Sequence, residues 1–204
     1  SAPWKTITYA LGQISGSGHT LYVASGTYNT TLGETFPIVV KNGVSLVGGG
    51  MDVSIIDAGG TNIVLRCAGV VDAMTRVDGF TIKGGSVSGP SSSGGTGIYI
   101  SAGSALTISN NKITGNTNYV AGLGGGVYIT SSTPLILNNV ITNNSPGTFG
   151  EGAGIYVSSA SPLIKGNNII SNISYVSGIY VTGSSSSPRI LNNVIAKNKE
   201  GGIE

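Results

Sequence analysis

The chain has 204 residues, a formal net charge of +2, 9% charged residues and 6% aromatic residues. This length suits one or two domains, and so small a charge without a basic stripe excludes a general nucleic-acid-binding protein. The 39% hydrophobic content, spread over short apolar triplets, argues against a disordered chain. No apolar stretch approaches the length of a transmembrane helix, so we expect no membrane insertion.

The first element predicted along the chain is an N-terminal helix. Its apolar residues stand at helical spacing: Trp4, Ile7, Ala10, Leu11 and Ile14. Pro3 before this run and the glycines at positions 16 and 18 after it are typical of helix ends. We therefore expect an amphipathic helix within residues 1–18.

The sequence then repeats itself. A motif written here as GIYV places tyrosines at positions 99, 128, 156 and 180, which are 29, 28 and 24 residues apart. A second motif, NNVI, starts at Asn110, Asn138, Asn167 and Asn192 and keeps step with the first. A third apolar segment, such as PLIK, lies between them. Each repeat therefore predicts three short strands joined by turns, with no helix.

Three short strands in each repeat of about 25 residues predict a parallel β-helix, whose coils stack at ~4.8 Å. We expect a single all-β domain of about six coils over residues 19–204, capped by the helix of residues 1–18. Early segments are assigned by analogy: TLYV, with Tyr22, to the GIYV position, and KNGVSL and VDGFTI to the NNVI position. The final GGIE begins another GIYV-like strand, which predicts further coils or pairing with another chain at this end.

The asparagines of NNVI predict a ladder inside the solenoid. Side chains alternate along a strand, so the second Asn shares a face with the apolar residue two positions later. Buried amides stacked in register can donate to one neighbour and accept from the other. The predicted ladder is Asn111, Asn139, Asn168 and Asn193, with inward-facing Ile113, Ile141, Ile170 and Ile195. The extra residue at Lys165-Gly166 predicts a β-bulge.

A family resemblance supports this fold. The segments PWKTITYAL, LYVASGTYN, GETFPI, GVSLVGGG and SIIDAGG resemble, over residues 1–60, an uncharacterised family of bacterial and archaeal surface-protein domains catalogued as a domain of unknown function. The whole chain resembles the right-handed parallel β-helix proteins of the pectate lyase-like superfamily. This resemblance implies a right-handed coil and an extracellular or cell-surface location. It leaves the activity open, because the superfamily contains lyases, hydrolases, epimerases, adhesins and phage spikes.

The resemblance directs the search for catalytic residues to the outer face of the GIYV sheet, where lyases of this superfamily hold calcium with acidic residues. Here that face carries tyrosines. The remaining candidates are scattered ionisable residues: Asp57, Arg66, Asp72, Arg76, Asp78 and Glu151. Asp57 and Asp78 precede turns, where aspartate commonly bonds its own loop, so we favour a structural role for the group. We expect no metal or other cofactor.

The tyrosines are the candidate binding residues: Tyr99, Tyr128, Tyr156 and Tyr180, with Tyr22 in the first coil. Flat rings with a hydroxyl tip suit sugar rings, which makes polysaccharide the predicted partner. The loops before the GIYV strands supply walls for a groove: Asn118, Tyr119, Phe149 and Tyr175. Stacked tyrosines also stabilise a sheet by themselves.

Three functions follow from these features. One is a non-catalytic extracellular scaffold that binds polysaccharide along the tyrosines. The others are a polysaccharide lyase or glycoside hydrolase, and a structural protein that assembles end to end.

Overall fold

The structure is a computed structural model that describes residues 3–69, 71–87, 94–118, 123–147, 150–173 and 175–204. These residues form an all-β parallel solenoid with one short α-helix, which confirms the predicted fold class. The strands are numbered β1 to β22 in chain order. None of the helices in this described part is long and apolar enough to cross a membrane.

Each coil contributes one strand to each of three sheets, and neighbours within a sheet come from successive coils. The first sheet contains β1 (His19–Val23), β4 (Val44–Gly48), β7 (Arg76–Asp78), β11 (Thr107–Ser109), β15 (Leu135–Leu137), β18 (Leu163–Lys165) and β21 (Arg189–Leu191). The second contains β2 (Gly26–Tyr28), β5 (Ser54–Asp57), β8 (Thr81–Lys83), β12 (Lys112–Thr114), β16 (Val140–Thr142), β19 (Asn168–Ile170) and β22 (Val194–Ala196). The third contains β3 (Ile38–Val39), β6 (Leu65–Cys67), β10 (Ile98–Ile100), β14 (Val127–Thr130), β17 (Ile155–Ser158) and β20 (Ile179–Thr182).

Six coils cross the three sheets in order, and β21 and β22 begin a seventh. Ile203 then forms a parallel bridge with Ile179, so GGIE starts the GIYV-like strand that the sequence predicts. Two short strands, β9 (Ser86–Val87) and β13 (Thr117–Asn118), pair with each other outside the main sheets, and Thr30–Leu32 form a 3₁₀ turn.

A continuous apolar core runs along the solenoid axis. Residues alternate between the core and the outside, so the middle residue of a three-residue strand is buried. The fully buried middle residues include Val77, Ile108, Ile136 and Ile164 in the first sheet and Ile82, Ile113, Ile141 and Ile169 in the second. Burial of a side chain of this size contributes roughly 1.5–3 kcal/mol, so these two columns of buried residues stabilise the solenoid along its length.

The helix α1 (Ile7–Gln13) packs on the first coil as predicted, although it is shorter than residues 1–18. Ile7, Ala10 and Leu11 are buried, whereas Trp4 precedes the helix and is 51% exposed. The helix ends at Ile14, whose extended backbone does not continue it.

A buried carboxylate anchors the start of this helix. Glu34 is 4% exposed, and its oxygens accept hydrogen bonds from the backbone N–H groups of Ile7 at 2.7 Å and Thr8 at 2.9 Å. A negative charge at a helix N-terminus is favourable because the first N–H groups have no partner within the helix. Glu34 therefore joins α1 to the first coil.

The first two coils follow a different course from the prediction. Tyr22 lies on β1, in the first sheet, and Val39 takes the GIYV position of that coil. The KNGVSL segment forms β4, also in the first sheet, so Gly43 precedes that strand and does not occupy the NNVI position. In the second coil, residues 49–53 form a long corner between β4 and β5, whereas two residues join the same two sheets in the regular repeats.

Asparagine side chains form a ladder at the corner between the first and second sheets. Oδ1 of Asn139 accepts from the backbone N–H of Asn111 at 2.9 Å, and Nδ2 of Asn139 donates to the Ile108 carbonyl at 2.9 Å. Asn167 repeats this pattern one coil later, and Asn193 repeats it again. Buried amide groups are thus paired within the wall of the solenoid, as predicted.

One predicted ladder member is wrong. Asn168 is exposed at the start of β19, and Asn167 takes its place in the ladder. Gly166, with a φ of +70°, fills the corner that an asparagine fills in other coils. The register continues without the predicted bulge, and Ile169 points inward instead of Ile170.

A second ladder, which the sequence analysis missed, runs along the corner between the second and third sheets. Its members stand five residues after those of the first: Asn116, Asn144, Asn172 and Asn198. Nδ2 of Asn116 donates to Oδ1 of Asn144 at 2.9 Å, and Asn144 donates to Asn172 at 3.0 Å. Each member follows a residue with left-handed backbone: Gly115, Asn143, Ser171 and Lys197.

Candidate functional site

The most regular surface feature is a tyrosine column on the outer face of the third sheet, formed by Tyr99, Tyr128, Tyr156 and Tyr180. The four residues pair in register across β10, β14, β17 and β20. Successive ring centroids lie 5.5, 5.2 and 5.4 Å apart, with interplanar angles of 4°, 8° and 29°. The rings are therefore stacked on one another along the solenoid axis.

A cation continues the column towards the N-terminus. Arg66 is the register partner of Tyr99, and its guanidinium carbon lies 5.7 Å from the Tyr99 ring centroid. This geometry is a cation–π contact, and it covers the face of Tyr99 that is turned away from Tyr128.

The ring faces inside the column are not open to a ligand. Tyr128 is 8% exposed and Tyr156 is 5% exposed, because each ring lies between two neighbours. Glycines of the preceding loops also lie close: a Cβ atom on Gly124 or Gly152 would be 3.1 Å from the Tyr156 Cβ. The column thus leaves no face of Tyr128 or Tyr156 for the sugar stacking that the sequence suggests.

A row of hydroxyl side chains runs beside the column. Thr130, Ser158 and Thr182 are partly exposed and pair in register two residues after the tyrosines. The outer face of the third sheet therefore presents a strip of neutral hydrogen-bonding groups, named here the hydroxyl row.

Glu151 lies beside the column, as its place in the sequence suggests. Burial, and then the Glu151 carboxylate and the neighbouring tyrosines, raise the pKa of Tyr156 to about 12. Glu151 is the main cause of the raised pKa of Tyr180, followed by burial and by Glu204. Burial and Tyr99 raise the pKa of Tyr128. The phenols are therefore protonated donors at neutral pH.

Apart from Arg66, which borders the column, the other candidate catalytic residues lie away from this face. Asp57 lies on the second sheet, where its carboxylate is 3.2 Å from Lys83 Nζ and accepts from the Gly59 N–H. The Gly59 contact is the local turn contact that its sequence position predicts. Arg66 lies on the third sheet, and Arg76 is exposed on the first.

The two remaining aspartates hold loops and coils together. Asp72 accepts from the backbone N–H groups of Met74 and Thr75. Asp78 accepts from Ser109 and Asn110 of the next coil instead of bonding its own turn. Among the described residues, no group of three or more His, Cys, Asp or Glu side chains is placed to hold a metal ion.

Of the four residues predicted to form the walls of a groove, the structure describes two, Asn118 and Tyr175. Asn118 is buried in β13, which turns it away from a surface role. Tyr175 is 50% exposed, and Lys199 Nζ lies 4.9 Å from its ring centroid. Tyr119 and Phe149 lie outside the described residues.

Comparison with known families fits this architecture. The chain matches, over residues 1–204, the family described as "Protein of unknown function (DUF1565)". The chain belongs to this family. The match confirms the resemblance to an uncharacterised family and extends it from residues 1–60 to the whole chain. No curated protein matches the chain.

The stacking of this DUF1565 solenoid explains the glycine that opens each GIYV motif. A Cβ atom on Gly126 would be 2.5 Å from the Gly154 carbonyl oxygen of the next coil, and one on Gly154 would be 2.7 Å from that of Gly178. The motif thus combines a glycine for close stacking, two inward aliphatic residues for the core and one outward tyrosine for the column.

Proposed function

We propose that this DUF1565 chain is a non-catalytic module of an extracellular or cell-surface protein and serves as a rigid scaffold. The observation on which we base the proposal is that three parallel rows of side chains join neighbouring coils. Two are the asparagine ladders at two different corners, and the third is the tyrosine column on the third sheet. Bending one coil against the next strains all three rows together, so stiffness follows from the repeat itself.

The positions of the ionisable residues favour a scaffold over a lyase or hydrolase. General acid–base chemistry needs groups within hydrogen-bond reach of the same reacting atoms. Arg66 and Glu151 both border the tyrosine column, but Arg66 lies in β6 of the second coil and Glu151 lies just before β17 of the fifth coil. Three coil spacings separate them by roughly 14 Å, which is too far to act on one bond.

We also propose that the hydroxyl row binds a neutral polysaccharide. The row and the tyrosine edges repeat once per coil, so a polymer laid along the axis makes the same weak contact several times. Binding in this form uses hydrogen bonds to sugar hydroxyls and leaves the tyrosine stack intact. The carboxylate of Glu151 beside the column disfavours an acidic polymer there.

Affinity electrophoresis through neutral and acidic polysaccharides tests this binding. The double variant Tyr156→Phe/Ser158→Ala removes two hydroxyls and keeps the ring stack. Thr114→Val is the matched control, because Thr114 is a partly exposed hydroxyl on the second sheet. We expect retardation by a neutral polymer that the double variant loses and the control keeps.

Two other outcomes separate the parts of this account. Equal migration of all variants in every polymer contradicts polysaccharide binding and leaves the scaffold. New reducing ends or unsaturated products in the same mixtures contradict the non-catalytic role. Protease treatment of intact source cells tests the location, because a surface module is degraded before lysis and an internal protein is not.

A further inference from the structure

A cleft of about 530 Å³ lies between α1 and the first coil, at the N-terminal end of the solenoid. Tyr180, the last residue of the tyrosine column, lies near the other end. Its volume falls within the ~300–1,000 Å³ typical of small-molecule sites. One wall is the segment that enters the helix, with Trp4 and Ile7, and the other is formed by β1 and β2. None of the features described above uses this cleft.

Aromatic side chains border the cleft. Trp4 is 51% exposed and Tyr22 is 77% exposed, although both are large enough to be mostly buried in a folded protein. The third aromatic residue, Tyr28, is half-buried, and its hydroxyl donates to the Ala24 carbonyl at 3.1 Å. Aromatic rings that combine an apolar face with a polar edge are suited to ligands that have both.

The lining sets the charge of the ligand. None of the described lining side chains carries a formal charge. The nearby Glu34 is only 4% exposed, and its carboxylate is already bonded to the N–H groups of Ile7 and Thr8. A charged ligand would lose hydration here without gaining a counterion. The uncharged lining therefore favours a neutral ligand over a charged one.

The lining of the cleft combines apolar and hydroxyl-bearing side chains, which indicates the chemical class of ligand that it fits. Ile7, Ala10 and Leu21 contribute apolar side chains to the lining, and Thr6 and Tyr22 contribute side chains that carry hydroxyl groups. A sugar ring has apolar C–H faces for the aromatic walls and hydroxyl edges for these groups. We propose that this cleft binds a neutral saccharide, at a site distinct from the hydroxyl row of the third sheet.

The cleft is preformed, because both of its walls are held in place. Glu34 fixes the start of α1, and the Thr6 hydroxyl accepts from the Tyr9 N–H at the helix cap. On the other side, β1 pairs with β4 over five residues. A ligand therefore meets a rigid site and loses little affinity to ordering of the protein.

The chain contains a single tryptophan, so fluorescence excited at the red edge of tryptophan absorption, where tyrosine does not absorb, reports on Trp4 in this cleft. We would titrate the whole chain with cellohexaose, xylohexaose and chitohexaose, and with hexagalacturonate as the charged probe. A saturable change in Trp4 emission is expected with a neutral probe and not with the charged one. Tyr22→Ala should weaken the binding about tenfold, whereas Tyr9→Ala should leave it unchanged. Tyr9 is the matched control because it is 56% exposed and does not line the cleft.

Each remaining outcome overturns the inference. No saturable response to any neutral probe, or equal affinity in wild type and Tyr22→Ala, contradicts a saccharide site. Saturation by 1-hexanol without a response to sugars marks an apolar site instead. The two proposed sites are tested separately. Binding at the hydroxyl row is detected as electrophoretic retardation that Tyr156→Phe/Ser158→Ala loses, whereas binding in the cleft is detected as a change in Trp4 emission that Tyr22→Ala weakens.

Discussion

The side-chain oxygen of Asn167 accepts two hydrogen bonds from Asn139, one from its backbone N–H at 2.8 Å and one from its Nδ2 at 3.0 Å. One amide group thus satisfies both the main chain and the side chain of the preceding coil. Asn139 does the same for Asn111. Because these groups are buried, removing one amide leaves donors of its neighbour unpaired.

Asn139→Leu tests this dependence. The substitution leaves the Asn111 N–H and the Ile108 carbonyl without their partner. We expect the free energy of unfolding to fall by roughly 1–3 kcal/mol in denaturant titration. Asn168→Leu is the matched control, since Asn168 is exposed, and it should change the value by less than about 0.5 kcal/mol. Equal losses in the two variants would show that the ladder is not the source of the stabilisation.

Gly126→Ala tests the stacking distance between coils. Its new Cβ would be 2.5 Å from the Gly154 carbonyl oxygen, and such crowding typically costs about 1–3 kcal/mol. Gly12→Ala is the control: it lies in α1 with no atom within 4 Å of the new Cβ, and alanine favours a helix by up to ~1 kcal/mol. The melting temperature should therefore fall in Gly126→Ala and rise slightly in Gly12→Ala. A neutral Gly126→Ala would contradict the stacking geometry.

The reactivity of the Cys67 thiol reports on whether the solenoid core around it opens to solvent. Its side chain is fully buried, and burial raises its thiol pKa to about 12. The thiolate is the reactive form, so the folded chain should not react with a disulfide reagent at pH 8. Labelling should begin at the denaturant concentration at which circular dichroism reports unfolding. Rapid labelling without denaturant would contradict the closed core around this residue.

Tyr156 makes the chain sensitive to alkali. Its pKa rises from 10.0 to about 12 on folding, so the folded state holds the phenolic proton more tightly than the unfolded state. The associated stability is complete below pH ~10 and is lost as the pH rises towards about 12. In a series of melting temperatures measured from pH ~8 upwards, we expect a decrease between pH ~10 and about 12. The decrease should be smaller in Tyr156→Phe, which has no phenolic proton at this position. Ionisation of Tyr156 near pH 10 without loss of stability would contradict its burial.

The sequence predicts the regular coils well because their landmarks are physical requirements. Tyr99 and Tyr128 stand in register, as the spacing of GIYV indicates. The prediction of Asn168 as a ladder member is wrong because Asn167 and Asn168 are adjacent asparagines, and the local sequence fits either of them to the inward position. A constant spacing of five between the two ladders, as from Asn139 to Asn144, would have selected Asn167.

The early coils are harder to predict, because they contain neither landmark. Tyr22 looks like a member of the tyrosine column by its neighbours alone, but the strand it occupies depends on the lengths of the following corners. The role of Glu34 is also hidden, since the N–H groups that it binds stand 26 and 27 residues earlier in the chain. Long-range contacts of this kind leave no local pattern.

Native-state hydrogen exchange tests most directly whether the coils behave as one rigid unit. The backbone N–H groups of Asn111, Asn139 and Asn167 each bond to the asparagine side chain of the next coil. If the ladders and the tyrosine column join the central coils, these three groups should exchange through one common opening with the same free energy. Separate openings, with the Asn139 coil exchanging while its neighbours stay protected, would contradict the rigid scaffold.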